Sequence, residues 1–484
     1  MPQSKLSKSK PNIILVTTDQ QRWDALNYNR PGTALRTPFL DAMAAGGLNC
    51  TRAYTTCPVC IPARRSLLSG LHPQTHKLYG YQDGLDWEAP ISCPETLGRN
   101  GYQTQLIGKL HLHPQRKSYG YDHQIRVESP NDRGDTILQN VNDWAKDLKR
   151  RGIEHPNHSG IDSNGRAARP WDLEEQYHLT SWLTDRAVEY VTEYRDPTRP
   201  FFLHLSHWAP HPPLIPPQAY WDQYANHGMT PAYGDWAPDL PWRPGTADTN
   251  AIGPFREDEI EDMIRGYYGL VTHIDHRMNH FMSRAFGYGS PRAHEPTVII
   301  YTSDHGEMLG DHHLYRKSLP YEASAHVPFF ICWRNMDLKP GAFDGLVSLE
   351  DVTATIFDLC GVAQPEQYNS ELEGRSLVPA LRGEKCHTRD RLFGECTGVG
   401  THNYMIEGPL KYIWFERTQE EQLFNVLDDP DETHDLSGSH KDLLPNFRKH
   451  MADYLKDRSD RHYDPSQCVP CNNQPPKVFW EKHL

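Results

Sequence analysis

Long apolar runs are missing from this chain: nothing approaches the roughly 18 consecutive apolar residues that a membrane span requires. The sequence therefore implies no membrane partner. Cysteine is scarce as well, with ten among 484 residues, and these are too scattered for a disulfide framework. Cys468 and Cys471 form a lone CxxC without a second pair or a histidine at zinc-site spacing, and no strand-to-helix pattern surrounds them as a redox dithiol would need. Positive charge is also short. Fifty Lys and Arg against 63 Asp and Glu leave a formal net charge of -13, which offers no basic face to nucleic acid. A few local cations could still hold an anionic substrate. Repeats and low-complexity tracts are absent. Met1 to Lys10 are polar and basic and lead straight into a strand-like run without a leader-type apolar segment. The expectation is a cytoplasmic protein, or a periplasmic or secreted one from which a signal has been removed.

What is present suits a large folded chain: 37% hydrophobic residues, 12 Trp and 24 Tyr, at a length that suggests one large domain and a smaller one. Asn12 to Thr18, NIILVTT, is predicted as a central strand of an α/β sheet, with Asp19-Gln20 at the carboxyl end where open sheets bind ligands. Pro38 to Ala45 reads as a short helix closed by Gly46-Gly47. Pro200 to Ser206 reads as a strand, followed by a proline-rich loop from His211 to Pro217. Ile260, Met263, Ile264, Tyr267, Tyr268, Val271, Ile274 and Met278 fall on one face of a long helix. Thr297 to Tyr301 is a strand running into Ser303-Asp304-His305-Gly306, and Val327 to Trp333 is another. Leu349 to Leu359 is a helix with Ser348 and Asp351 placed for a capping box and Gly361 as its stop. Tyr404 to Ile406, Lys411 to Phe415 and Gln422 to Asn425 read as short antiparallel strands, and Leu444 to Leu455 as a helix packed on them. The expected domains are 1–375, 376–460 and an extended tail, 461–484.

Chemistry concentrates in a few segments. Cys60-Ile61-Pro62-Ala63-Arg64 continues through Arg65 and Ser66 to Leu68-Ser69-Gly70. A cysteine beside proline is ordinarily an inert buried thiol, and Cys57 makes a CxxC with Cys60. Other pointed segments are Gly108-Lys109-Leu110-His111, Pro210-His211-Pro212, Ser303-Asp304-His305-Gly306, the stretch after Gly310 that holds Lys317, and Leu423-Phe424-Asn425 to Asp429-Pro430-Asp431-Glu432. Together they resemble the type I sulfatases, the formylglycine-dependent branch of the alkaline phosphatase-like superfamily. That family's modification signature joins cysteine, proline and arginine at this spacing with a glycine ten positions on, where Gly70 stands.

The resemblance implies an α/β fold with a large mixed central sheet flanked by helices, plus a smaller C-terminal domain with a short antiparallel sheet and a helix. It implies that a formylglycine-generating enzyme converts Cys60 to formylglycine, whose hydrate attacks a sulfate ester and forms a covalent sulfo-intermediate. Release then regenerates the aldehyde. It also implies one divalent metal ion, calcium first and magnesium or manganese next, with Asp19, Gln20, Asp304 and His305 as ligands beside Cys60. Arg64 is assigned to orienting the formylglycine, Lys109 and Lys317 to clamping sulfate or bridging oxygens, His111 to taking a proton from the second hydroxyl, and His211 to protonating the leaving group, with His207 as its rival. Asp311 and His312 are candidates for the pocket lining. Aromatic and imidazole groups in the loops, His72, His76, Trp87, His113 and Trp208, would suit a sulfated carbohydrate. The alternative is a phosphonate monoester or phosphodiester hydrolase with the same nucleophile, which the Lys-x-His element disfavours. Whether the chain forms a homo-oligomer stays open.

Overall fold

Alternation along the first strand sets the layering. In the computed structural model, which describes residues 10–129, 141–154, 160–237, 251–398, 400–416, 418–456 and 458, all eight residues of Asn12–Asp19 are buried. Ile13 and Leu15 join one apolar cluster, while Ile14 and Val16 join another. The period of two serves a strand covered on both faces. The tail 461–484, with Cys468 and Cys471, lies outside the described residues.

The described strands are β1 (Asn12–Asp19), β2 (Leu48–Cys50), β3 (Ala53–Tyr54), β4 (Gln103–Gly108), β5 (His123–Arg126), β6 (Phe201–Pro210), β7 (Thr297–Ser303), β8 (Phe329–Arg334), β9 (Gly341–Phe343), β10 (Val347–Ser348), β11 (Arg391–Cys396), β12 (His402–Glu407), β13 (Leu410–Phe415) and β14 (Glu420–Asn425). The central sheet has the order β5-β4-β6-β1-β7-β8-β2-β9. From β5 to β7 all pairs are parallel, and β8 runs antiparallel to both β7 and β2. The sheet is therefore mixed, as expected. A 30-residue helix, Glu257–Phe286, packs with Leu179–Glu189 on the face of Ile14 and Val16. Three acidic residues in its first turn suit the positive end of the helix. On the opposite face lie the helices Cys60–Ser69 and Glu350–Leu359. Ser348 N donates to Asp351 Oδ2 at 2.8 Å, and Gly361 adopts φ 67° beyond the helix end.

The smaller unit is an antiparallel meander, β11-β12-β13-β14, with the helix Leu444–Leu455 packed on one side through Phe447 and Met451. The other side of the meander packs against the large unit through Tyr404, Ile413, Phe424 and Tyr321. Among the described residues no helix is long and apolar enough to cross a membrane.

Candidate active site

Four neighbouring parallel strands end at one place. In sheet order, β4 delivers Lys109, β6 delivers His211, β1 ends on Asp19, and β7 delivers Asp304 and His305. The close approach of β4 to β6 depends on Gly108, which has φ 115° and whose Cβ would lie 1.8 Å from the Ser206 carbonyl oxygen. Only glycine fits there. Lys109 N donates to that same carbonyl at 3.1 Å, and His211 N donates to Asp19 O at 3.0 Å.

Cys60 is the first residue of the wholly buried helix Cys60–Ser69, so the positive end of that helix faces the carboxyl edge of the sheet. Arg64 lies one turn further along the same face. Gly70 caps the helix at φ 68° and accommodates the Tyr368 hydroxyl, which would sit 2.1 Å from a Cβ. This gives a physical reason for glycine ten positions after Cys60.

The carboxylates of Asp19 and Asp304 divide their oxygens between two tasks. Both Oδ2 atoms face cations: Arg64 Nη2 at 3.0 Å and Lys109 Nζ at 2.6 Å from Asp19, and Arg64 Nε at 2.9 Å from Asp304. Both Oδ1 atoms turn to the other side, toward His305 Nε2 at 3.8 and 3.6 Å. Cys60 Sγ is 3.1 Å from that nitrogen and 3.9 Å from Asp19 Oδ1. His305 Nδ1 donates to Gly306 O at 3.0 Å, which turns Nε2 toward the cluster. One ligand atom from each of Asp19, Cys60, Asp304 and His305 lies within 4.8 Å of the others, all of them buried. Two carboxylate oxygens and an imidazole nitrogen converging on one point fit a divalent cation.

Gln20, at φ 71°, borders this cluster. Its backbone N–H donates to Asp304 Oδ1 at 3.1 Å, its amide donates to Glu307, and its Oε1 accepts from Lys317 Nζ at 2.5 Å. Lys317 Nζ also reaches His211 Nε2 at 2.7 Å, while His211 Nδ1 donates to Pro212 O at 2.9 Å.

Electrostatics follow from these contacts. Burial would raise Asp19, but Lys109, His211 and Arg64 outweigh it and hold the carboxyl well below its ordinary range. Burial and Asp19 would raise Cys60, yet Lys109, Lys317 and His305 draw it down. Position 60 thus favours an anionic atom. Burial opposes protonation of His305, but Asp304 and Cys60 push it up to about 9, so the cluster draws positive charge to its centre. His111 and His211 are both held well below the ordinary histidine value, mainly by burial, with Lys109 acting on the first and Lys317 on the second.

Above Cys60 opens a cavity of about 570 Å³ lined by Lys109, His111, His211 and Lys317, with Tyr81, Trp208 and Tyr315 among its aromatic walls and Asp83, Ser163, Asn164 and Arg316 among its polar ones. The volume is that of a small-molecule site. Several expectations need correction here. His207 is fully buried outside this lining, held neutral at about 3 by burial and by His273. Asp311 pairs with Arg22 at 2.7 Å and His312 packs on Trp236, so neither lines the cavity. Of His72, His76, Trp87, His113 and Trp208, expected to face a sugar, Trp208 alone is in the lining; Trp87, His72 and His76 are buried elsewhere and His113 pairs with Asp86. The sequence reading missed Glu307, which holds Gln20, Leu309 N and Arg316 N, and Glu128, which accepts from His111 N at 2.7 Å and lines the cavity. Glu307 follows His305 by two residues and could have been found from that spacing. Glu128 carries no motif.

Comparison with known proteins agrees with this geometry. The sulfatase family matches residues 11–362, and the N-sulphoglucosamine sulphohydrolase C-terminal family matches residues 310–460. An arylsulfatase of Clostridium perfringens is 33% identical over 94% of this chain and 96% of its own length. A choline-sulfatase of Rhizobium meliloti is 26% identical over 89% of this chain and 83% of its own. Among solved structures, a protein in complex with its substrate D-glucosamine-2-N,6-O-disulfate superposes with a TM-score of 0.71 at 19% identity, covering 94% of this chain and 100% of that one. A phosphonate monoester hydrolase from Silicibacter pomeroyi also gives 0.71, at 20% identity over 93% and 96% of the two chains. The chain belongs to the type I, formylglycine-dependent sulfatase family of the alkaline phosphatase-like superfamily, and the protein is a sulfatase-type hydrolase.

Proposed function

We propose that the protein hydrolyses the sulfate ester of a sulfated carbohydrate, with Cys60 matured to formylglycine by a formylglycine-generating enzyme. The observation that carries this reading is the convergence of Lys109, Lys317 and His305 on position 60, which lowers Cys60 against both burial and Asp19. Sγ of the encoded residue stands in for a hydroxyl oxygen of the formylglycine hydrate, and a field that stabilises a thiolate also stabilises an alkoxide. Asp19, Asp304 and His305, with Gln20 at the edge, would hold a divalent cation, calcium first and magnesium or manganese next, whose charge would polarise the ester and favour the alkoxide.

The remaining roles belong to the chain itself. Arg64 ties both Oδ2 atoms and so fixes the orientation of the two carboxylates. Lys109 and Lys317, both in the cavity lining, suit the equatorial oxygens of the transferred group and the bridging oxygen. His211 accepts from Lys317 through Nε2, so the proton for the leaving oxygen is shared along Lys317 Nζ–His211 Nε2. His111 Nδ1 is buried without a hydrogen-bond partner, and a neutral ring with a free lone pair at this wall can take the proton released when the aldehyde re-forms. Polar groups interleaved with Tyr81 and Trp208 match the hydroxyls and apolar faces of a sugar.

Two measurements test the reading. Peptide mass analysis of material expressed with the maturation enzyme should find the Cys60 peptide lighter by about 18 Da, the difference between thiol and aldehyde residues; full activity without that loss would remove the nucleophile. Parallel turnover of sulfated sugars, an aryl sulfate, a phosphonate monoester and a phosphodiester should place a sulfate ester first, with Lys109→Ala costing most on it. A dominant phosphonate or phosphodiester rate would reverse the assignment.

A further inference from the structure

Strand β6 does not run straight into the site. Thr17 of β1 pairs with Ser206, but Asp19 pairs with Pro210, so β6 carries four steps where β1 carries two. The two extra residues make a bulge, and bulges re-aim side chains at active sites. Here the bulge turns Trp208 into the cavity wall while its neighbour His207 stays buried.

Trp208 touches both cation-bearing arms of the site. Lys109 Nζ sits 4.0 Å from the indole ring centroid, and the same ammonium lies 2.6 Å from Asp19 Oδ2. On the other arm, the His211 ring packs at 4.8 Å and 59° to the indole. The indole N–H donates to Pro212 O at 3.0 Å, the same carbonyl that accepts from His211 Nδ1. One ring orientation thereby fixes both groups. Behind the ring, a void of about 30 Å³ lined by Trp144, Trp171 and Leu270 leaves room for Trp208 and His211 to shift if either loses its partner.

The geometry points to Trp208 as a positioning residue: its π face holds the Lys109 ammonium in the anion clamp, and its N–H and ring edge set the His211 imidazole for the leaving group. A buried ammonium needs a directional partner on each side, and Asp19 supplies only one. An aliphatic side chain of similar volume would keep the wall closed but present no negative face to the ammonium.

This rests on the hydrolase reading, and its test separates the two. Trp208→Leu and Trp208→Phe are compared with the parent protein in kcat/KM on whichever ester it turns over, in calorimetric titration with inorganic sulfate, and in thermal unfolding. Leu should lower kcat/KM about ten- to thirtyfold and weaken sulfate binding, whereas Phe, which retains a π face but lacks the indole N–H, should keep sulfate binding within about threefold of the parent and lose less kcat/KM than Leu. Equal losses in the two variants, or a Leu variant indistinguishable from the parent, would overturn the assignment, because a filling role does not distinguish Phe from Leu. Sulfate affinity reads the Lys109 arm without turnover. Absence of any ester hydrolysis by the parent would count against the hydrolase reading, and identical or undetectable sulfate binding in all three proteins against Trp208.

Discussion

Of the buried clusters of charge among the described residues, the one docked against the meander and the one at the carboxyl edge of the central sheet make a pair that differs in access to a cavity. In the meander, Lys411 Nζ lies between Glu322 Oε1 at 2.9 Å and Glu432 Oε1 at 3.0 Å. The second oxygens are occupied too: Glu322 Oε2 by His326 Nδ1 at 2.8 Å and the Tyr54 hydroxyl at 3.1 Å, and Glu432 Oε2 by Glu322 N at 2.6 Å. At the sheet edge, by contrast, Arg64 and Lys109 occupy one side of Asp19 and Asp304, and the opposite oxygens point inward beside Cys60 and a 570 Å³ cavity. Burial and charge density are alike in the two places. The difference is lone pairs left facing a common centre that a substrate can approach. Glu432, from the Asp-Pro-x-Glu segment, is thus a docking residue between the two units, its carbonyl also accepting from Trp236 Nε1 at 2.7 Å.

The sharpest way to break the comparison is to remove chemistry without removing charge. Cys60→Ala keeps every ion pair of the site and should lower turnover by about 10⁴-fold or more, with thermal unfolding unchanged. A residual rate near the parent's would mean that position 60 is not the nucleophile. Next in size is His211→Ala, which leaves Lys317 Nζ without its imidazole partner. It should cost about 10²- to 10⁴-fold on an ester whose alcohol is a poor leaving group and far less on 4-nitrophenyl sulfate, whose phenolate departs unaided. Equal losses on both esters would place His211 outside leaving-group protonation.

How much of this could be read beforehand follows the same division. Strands with continuous apolar, β-branched runs, β1 and β7, were legible, and with them the acidic residues at their carboxyl ends. Strand β4 was not, because Gln103 and Gln105 interrupt its apolar pattern; Gln105 is buried by bonding its amide to Leu106 O at 2.7 Å. β11 was hidden by Gly394, which lies under the Tyr404 ring in a contact that exists only in the folded sheet. The Cys-x-Pro-x-Arg segment announced Cys60 and Arg64 through its resemblance to the sulfatase signature, while the helix that brings these residues, four apart, onto one face is seen in the structure. The preference for His211 over His207 rested on resemblance alone, since the two-residue bulge that separates their surroundings is set by pairing with β1. Glu128 and Glu307 act through tertiary contacts that no local spacing encodes, except that Glu307 closely follows His305.

The second cluster makes the opposite prediction from the first: losing its cation should harm the fold and spare the chemistry. Lys411→Met leaves Glu322 and Glu432 buried against each other, and removing one partner of such a set costs about 3–5 kcal/mol. Urea unfolding should show that loss, while kcat per folded molecule stays within about twofold of the parent. A fall in kcat without a fall in stability would mean that the meander reaches the site in a way its contacts do not suggest.

The smallest effect is the most diagnostic of how that cluster shares its charge. One lysine faces two carboxylates, so one of them must hold a proton or remain uncompensated. Burial and the neighbouring Glu322 push Glu432 up from 4.5 to about 8, against the pull of Lys411, whereas Glu322 is held low by Lys411 and His326 in spite of burial. The two shifts have opposite consequences. The Glu322 contribution is present above the ordinary glutamate value and is lost only in strong acid. The Glu432 contribution is fully present below 4.5 and is lost as pH rises toward 8, because the unfolded chain gives up a proton that the folded one keeps. Parent stability should therefore fall by up to about 1.4 kcal/mol per pH unit across that window from this group alone. Glu432→Gln, which fixes the neutral form, should flatten the slope, so the stability difference between variant and parent widens between pH 5.5 and 7.5. Parallel pH profiles for the two proteins would place the shared proton elsewhere and make the Lys411 cluster a fully ionised triad.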